Sequence, residues 1–283
     1  MTKAKPSIQR WGAILATVLV LSALSVGANP VESDKTLRIA SATSYLESVV
    51  VDLFRGEPVS IMRLAEPGTC PGHFDIRPSQ AVELRCCEFL VRFDFQSSLD
   101  ALLEGGSKQP KILSIVMHGG LCRTDSYLSV CRQVADSLVA EHRLSAEQAK
   151  TRLASIEARL GSLAQSATNQ IAKADLRGKP VLASTHQKDF CEWLGLKVAG
   201  TFRASDTSGV REIDNAVKAG ESAGVRFVIG NVPEGRRAAD ALGERLGATV
   251  VMFENFPRLS DGKISFDDLV TENVKGLIKA AHP

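Results

Sequence analysis

The sequence has few aromatic residues and almost no excess charge. Aromatic side chains make up 5% of the 283 residues, and 34 lysines and arginines nearly balance 32 aspartates and glutamates. A strongly basic surface, the usual electrostatic footprint of nucleic-acid binding, is therefore missing. We expect no nucleic-acid partner.

Local motifs typical of catalysis are also missing. The chain has no glycine-rich phosphate loop, no paired-carboxylate motif and no known nucleophile signature. A cysteine such as Cys122 or Cys191 beside a histidine is the one arrangement that would suggest a nucleophile and a base. Without a supporting local pattern, we expect that the protein is not an enzyme.

The N-terminal apolar run is too short to span a membrane. Three basic residues precede the run Trp11 to Leu24, and small residues lead to Ala28. A spanning helix needs about 20 apolar residues. The order of these segments predicts a cleavable signal peptide over residues 1–28 and a periplasmic location. No cysteine directly follows the run, where it would carry a lipid anchor. We therefore expect the mature protein to be soluble. We also expect it to be a monomer.

Six cysteines would enter an oxidising compartment with this leader. They are Cys70, Cys86, Cys87, Cys122, Cys131 and Cys191. Disulfides are the default expectation for exported cysteines, and the sequence alone does not choose their pairing. Cys86 and Cys87 are adjacent, which disfavours a bond between them.

Short apolar segments alternate with amphipathic ones in both halves of the mature chain. The predicted strands are Leu37–Ala40, Val59–Leu64, Phe89–Phe93, Lys111–Met117, Val181–Ser184, Val198–Phe202, Arg226–Ile229 and Thr249–Phe253. The predicted helices between and after them are Ser44–Arg55, Ser79–Cys86, Ser97–Glu104, Asp125–Glu141, Val210–Ala223, Glu234–Leu246 and Phe266–Ala280. This alternation predicts an α/β fold with two lobes, each a mostly parallel sheet covered by helices.

One long amphipathic segment separates the two halves. Apolar residues recur every three or four positions between Ser145 and Ala174, which indicates one buried helical face. Ser145 is the predicted N-cap. We expect an N-terminal lobe over 36–143, a rigid connecting helix over 144–177 and a C-terminal lobe over 178–283. The alternative is a helix packed within a single domain.

Three of the five histidines follow predicted strands. His73, His118 and His186 lie after three strands, and Glu254 lies directly after the last one. Ligands of open α/β sheets bind beyond the carboxyl ends of the strands. Imidazole nitrogens and one carboxylate suit zinc and related ions. These four residues are therefore the predicted metal ligands of a cleft between the lobes.

Three segments resemble the metal-specific solute-binding proteins of ABC importers, which serve zinc, manganese and iron uptake. They are the loop Pro67 to Ser79, the segment Thr185 to Phe202 and the strand Val250 to Phe253 with Glu254. The resemblance covers nearly the whole mature chain. It implies a periplasmic protein that captures a divalent transition-metal ion, with zinc favoured and iron or manganese as alternatives, and delivers it to an inner-membrane ABC importer permease.

The chain departs from this family in the first ligand loop. Gly72 takes the place of the family's first ligand histidine, His73 stands one residue later, and Cys70 replaces the usual aspartate. Cys70 is therefore a possible additional metal ligand or a disulfide partner. The second candidate function is a binding protein of the same fold for a metal chelate, such as a siderophore or a corrinoid. The low aromatic content argues against a wide cleft of that kind.

Overall fold

The first lobe is built on a sheet of four parallel strands. The computed structural model describes residues 36–67, 76–103, 108–204, 209–260 and 262–282. The predicted signal peptide, Cys70 and His73 lie outside these ranges. The strands are β1 (Leu37–Ser41), β2 (Val59–Arg63), β3 (Phe89–Phe93) and β4 (Lys111–Ile115), in the order β2-β1-β3-β4. All five residues of β3 are buried, as expected for a central parallel strand.

Helices α1 (Ser44–Leu53), α2 (Pro78–Leu84) and α3 (Thr124–Ala140) accompany this sheet. The Thr43 hydroxyl caps α1 by accepting a hydrogen bond from the Leu46 amide. The segment predicted as a helix from Ser97 is instead a 3₁₀ segment, Asp94–Leu103, with a non-helical residue at Gln96. The Gln96 side chain accepts a hydrogen bond from the Phe93 amide, so it ties the end of β3 to this turn.

The long helix α4 (Ala146–Lys173) has 28 residues and follows α3 closely. Its N-cap is Ser145, as predicted, and the Ser145 and Gln148 side chains each accept a hydrogen bond from the other residue's amide. This reciprocal arrangement satisfies amides that the first helical turn leaves without partners. Helix α4 packs against α1 and α3 of the first lobe and against the C-terminal helix.

The second lobe repeats the first one. Its parallel strands are β5 (Pro180–Ser184), β6 (Lys197–Phe202), β7 (Phe227–Asn231) and β8 (Thr249–Phe253), in the order β6-β5-β7-β8. Its helices are α5 (Lys188–Trp193), α6 (Val210–Ala223), α7 (Arg237–Leu246) and α8 (Phe266–Ala281). Two short antiparallel strands, β9 (Leu259–Ser260) and β10 (Lys263–Ile264), precede α8. The structure confirms the predicted fold of two helix-covered parallel sheets.

A large hydrophobic core includes buried residues of both sheets and of α3, α4 and α8, and a second, smaller core lies within the second lobe around Leu182, Val228 and Leu242. Residues 36–283 form one compact unit, within which the boundaries predicted near residues 143 and 177 stay a prediction. Among the described residues, no helix combines the length and the apolarity needed to cross a bilayer.

Candidate functional site

A cleft of about 460 Å³ lies at the carboxyl ends of the strands in both sheets. The first lobe contributes Phe95 after β3 and the loop after β4, and the second lobe contributes the last residue of β7 and residues that follow β5, β7 and β8. The described lining is Phe95, Met117, Gly119, Gly120, Leu121, Thr185, His186, Asp189, Asn231, Pro233, Glu234, Asn255 and Phe256. The position agrees with the rule for ligand sites in open α/β sheets.

The two lobes approach each other closely at Gly120. A Cβ atom at this position would lie 3.0 Å from the Asp189 Cβ and 3.5 Å from the Phe190 amide nitrogen of α5. A larger side chain would therefore push the loop after β4 away from α5. The preceding residue, Gly119, has a φ of +79°, a conformation that glycine adopts without steric cost.

His186 and Glu234 form the polar pair of the cleft. His186 Nε2 lies 3.8 Å from Glu234 Oε1, and the His186 side chain is 63% exposed whereas that of Glu234 is 17% exposed. The buried Ser184 hydroxyl donates to Glu234 Oε2 and accepts from the His186 amide at 3.2 Å. Ser184 therefore fixes both the carboxylate and the turn that carries the imidazole.

Buried amide side chains lie beneath this pair. Gln187 Nε2 donates to Asn231 Oδ1 at 3.1 Å and to Asn255 Oδ1 at 2.8 Å. Gln187 is fully buried, and its Oε1 has no hydrogen-bond partner among the residues that the structure describes. These bonds hold the turns after β5, β7 and β8 together at the base of the cleft.

Cys122 connects this base to the first lobe. Its thiol donates to the Glu254 carbonyl oxygen at 3.0 Å, and Asn273 Nδ2 of α8 donates to the same oxygen at 3.0 Å. The Asn273 Oδ1 accepts from the Glu254 amide at 2.9 Å. The backbone at Glu254 is thus held by one residue from each lobe.

The predicted ligand His118 lies beside the cleft and does not line it. Its side chain is exposed and borders a shallow pocket with Arg123, Asp125 and Ser129. Gly119 borders both this pocket and the cleft. Gly119 therefore lies between the pocket of the His118 side chain and the cleft.

The predicted ligand Glu254 borders a different pocket, with Arg258 and Glu272. Its Oε1 is paired with Arg258, and its Oε2 is buried without a hydrogen-bond partner in the described part of the chain. Burial raises the pKa of the Glu254 carboxyl, although the neighbouring Arg258 acts in the opposite direction. The next residue, Asn255, is the one that lines the cleft.

Of the predicted ligands that the structure describes, only His186 lies at the cleft wall. His73 and Cys70 lie outside the described residues, and the described residues contain no cluster of three or more His, Cys, Asp or Glu suited to a metal ion. The assignment of His73, His118, His186, Glu254 and Cys70 as ligands therefore stays a prediction.

Glu234 is a cleft residue that the sequence-based prediction missed. The apolar run before it predicts a strand that ends at Ile229, and the pattern that follows predicts a helix that begins at Glu234. The strand β7 instead runs to Asn231, a 3₁₀ turn covers Val232–Glu234, and α7 begins only at Arg237. The signal that would have found Glu234 is its place after a strand, the same signal that identified the histidines.

The five described cysteines, Cys86, Cys87, Cys122, Cys131 and Cys191, are free thiols. The expectation of disulfides is therefore wrong for any pair among these five. All except Cys86 are buried, where a free cysteine packs as a small apolar residue. Burial raises the pKa of the Cys122 and Cys191 thiols. A catalytic thiol needs the opposite shift, so neither cysteine suits the role of a nucleophile.

Comparison of sequences finds no matching protein family and no matching curated protein. Comparison of structures finds similar folds. A Mn-bound periplasmic metal-binding protein from Candidatus Liberibacter asiaticus has a TM-score of 0.73 at 11% identity, covering 87% of this chain and 100% of that one. Its Cd-bound form has a TM-score of 0.72 at 12% identity, with the same coverage. ZnuA has a TM-score of 0.68 at 13% identity, covering 87% of this chain and 99% of that one.

The Mn-bound and Cd-bound neighbours are named as metal-binding proteins and not as enzymes, in agreement with the prediction from the sequence. Identities of 11–13% relate folds and do not transfer individual ligands. The chain has the same fold as these solved structures, which is the fold that the resemblance in the sequence implies.

Proposed function

We propose that the protein is a periplasmic solute-binding protein that captures a divalent transition-metal ion in the interlobe cleft and delivers it to an ABC importer permease. The observation that carries the proposal is the pair His186 and Glu234 in a cleft between two parallel sheets. The fold it shares with Mn-bound and Cd-bound periplasmic proteins supports the same function.

The geometry of the pair suits a metal ion. Zinc binds histidine nitrogen at about 2.0–2.1 Å and carboxylate oxygen at about 2.0–2.2 Å. An ion between His186 Nε2 and Glu234 Oε1, which are 3.8 Å apart, reaches both atoms without a change in the backbone. The carboxylate also offsets part of the charge of a divalent cation.

Zinc is the favoured metal because imidazole and carboxylate are two of its usual ligands, and iron or manganese use the same donors. His73 and His118 are the further proposed ligands, with Cys70 as a possible addition, whereas Glu234 takes the carboxylate role predicted for Glu254, which is paired with Arg258 beside another pocket. For His118, Gly119 and Gly120 supply the backbone freedom that a turn of the imidazole into the cleft requires.

Titration calorimetry of the metal-free mature chain with zinc, iron(II) and manganese(II) tests the proposal. We expect zinc to bind most tightly, and His186→Ala to lose at least about tenfold in affinity, equivalent to about 1.4 kcal/mol. His282→Ala is the matched control, because His282 is exposed and lies near the amino-terminal end of β5. Unchanged zinc affinity in His186→Ala would refute the proposed site.

A further inference from the structure

The cleft is larger and more apolar than a bare metal ion requires. Its volume of about 460 Å³ falls within the range of about 300–1,000 Å³ that is typical of small-molecule sites. Five apolar side chains line it: Phe95, Met117, Leu121, Pro233 and Phe256. A site of this composition is suited to contact an organic molecule around the metal.

The base of the cleft offers hydrogen-bond donors. Asn231 and Asn255 line the cleft, and each is 3% exposed. Their Oδ1 atoms accept from Gln187 Nε2, so their Nδ2 groups remain as donors. Neither Nδ2 has a protein acceptor within the part of the chain that the structure describes. Two neighbouring amide donors match the two oxygens of a ligand carboxylate.

The charge of the cleft selects among such ligands. Asp189 and Glu234 line it, and no lysine or arginine does so among its described lining residues. The nearby Arg123 is paired with Asp125 and borders the neighbouring pocket, and its charge also acts on Asp189, so Glu234 is the carboxylate of the cleft without a nearby arginine or lysine among the described lining residues. Two carboxylates in a partly enclosed cleft favour a cationic or neutral ligand and disfavour an anionic one.

We propose that the cleft takes up the metal as a complex with a small α-amino-acid chelator. The metal binds at His186 and Glu234, and the chelator carboxylate accepts hydrogen bonds from Asn231 and Asn255. Phe95 and the other apolar side chains cover the body of the chelator. The inference rests on the proposed function and adds the chemical form in which the metal is bound.

Native mass spectrometry and equilibrium dialysis of the mature chain test this inference with zinc and histidine as the probe. Histidine complexes zinc as a cation, whereas citrate complexes it as an anion. We expect the protein to retain zinc together with histidine, and to bind the zinc–histidine complex at least about tenfold more tightly than zinc–citrate or zinc alone.

Two variants locate the chelator. Asn255→Asp replaces an amide donor by a carboxylate, and we expect the affinity for zinc–histidine to fall at least about tenfold. Phe95→Ala truncates a side chain that is 55% exposed, so folding is preserved, and we expect about a fivefold smaller preference for zinc–histidine over zinc alone. Leu259→Ala, at a residue that is 58% exposed outside the cleft, is the control and should change neither value.

The outcomes separate this inference from the proposed function. Retention of zinc without histidine at every histidine concentration would overturn the inference and leave metal capture intact. Equal affinity for zinc–citrate and zinc–histidine would also overturn it. Binding of histidine that does not depend on zinc would likewise overturn the inference alone. The absence of any zinc binding in either form would overturn the inference and the proposed function together.

Discussion

Glu234 and Glu254 are two partly buried carboxylates that follow neighbouring strands, and they differ in what they face. Glu234 lies 3.8 Å from the His186 imidazole in the cleft, whereas Glu254 is paired with Arg258 beside another pocket. We expect Glu234→Gln to lower zinc affinity at least about tenfold, because it removes a charged ligand.

The matched variant is Glu254→Gln. Because Arg258 already pairs with this carboxylate, we expect a loss of about threefold or less, measured by the same calorimetry. A larger loss in Glu254→Gln than in Glu234→Gln would reverse their roles and support the sequence-based choice of Glu254.

Asp125 gives the native state a pH-dependent contribution near the cleft. The Arg123 side chain, which hydrogen-bonds to Asp125, lowers the pKa of that carboxyl from its ordinary value of 3.8. A lowered pKa in the folded state means that the unfolded state binds more protons at acid pH. The stabilisation is therefore present above about pH 4 and is lost as the pH falls through the folded value.

We expect Asp125→Asn to lower the free energy of unfolding by less than about 1 kcal/mol at pH 7, because the carboxylate is 60% exposed. The difference from the wild type should shrink below pH 4. Urea unfolding at several pH values measures it. A difference that is the same at pH 3 and pH 7 would exclude the ion pair as its cause.

At the scale of elements, Arg159 of α4 links the two lobes. Its guanidinium pairs with Asp52 of α1 in the first lobe and with Asp267 of α8 in the second. The Tyr127 hydroxyl of α3 also donates to Asp52 Oδ2 at 2.8 Å. Asp52 has a side chain that is only 7% exposed, so the cation at this point compensates a buried charge.

We expect Arg159→Met to lower the free energy of unfolding by about 2 kcal/mol, because the buried Asp52 carboxylate then keeps only the exposed Arg55 and the Tyr127 hydroxyl as partners. Arg132→Met is the matched control, since Arg132 pairs with Glu157 between α3 and α4 with both side chains more than half exposed. That variant should cost less than about 1 kcal/mol. Urea unfolding compares the two, and equal losses would show that Arg159 acts as an ordinary surface residue.

Elements with a strong local pattern were predictable from the sequence. Strands β3 and β8 begin and end where apolar runs predicted them, and Ser145 caps α4 as expected. Their patterns suffice because the buried strands are short apolar runs and the capping residues have a specific hydrogen-bonding role.

Features set by tertiary contacts were not predictable in this way. The Ser97 segment has an amphipathic helical pattern, but it follows the non-helical Gln96, whose side chain accepts a hydrogen bond from the Phe93 amide, and it forms a 3₁₀ segment. Glu234 reaches the cleft because the 3₁₀ turn before α7 sets its direction. Such turns decide whether a side chain after a strand faces the cleft or a neighbouring pocket. Placement after a strand therefore selected both His186, which lines the cleft, and Glu254, which borders another pocket.

At the scale of the whole molecule, aromatic packing joins the lobes at the start of α8. The Phe266 ring stacks on Tyr127 with centroids 3.9 Å apart, and it meets Tyr45 edge-on at 5.8 Å. Both tyrosines belong to the first lobe, and all three rings are almost fully buried. The hydrophobic core is therefore continuous from one sheet to the other, which favours cooperative unfolding over separate unfolding of the lobes.

The tryptophans make this cooperativity measurable. The chain has two, Trp11 and Trp193. Because Trp11 belongs to the predicted signal peptide, Trp193 is the one tryptophan of the predicted mature chain. It lies in α5, so its fluorescence reports on the second lobe. Far-ultraviolet circular dichroism reports on the helices of both lobes. We expect the two unfolding curves in urea to coincide, with one midpoint.

Phe266→Ala should lower that midpoint, because truncation of a buried phenylalanine costs about 3–5 kcal/mol. If the fluorescence and dichroism curves separate in the wild type, the lobes unfold independently and the shared core does not couple them.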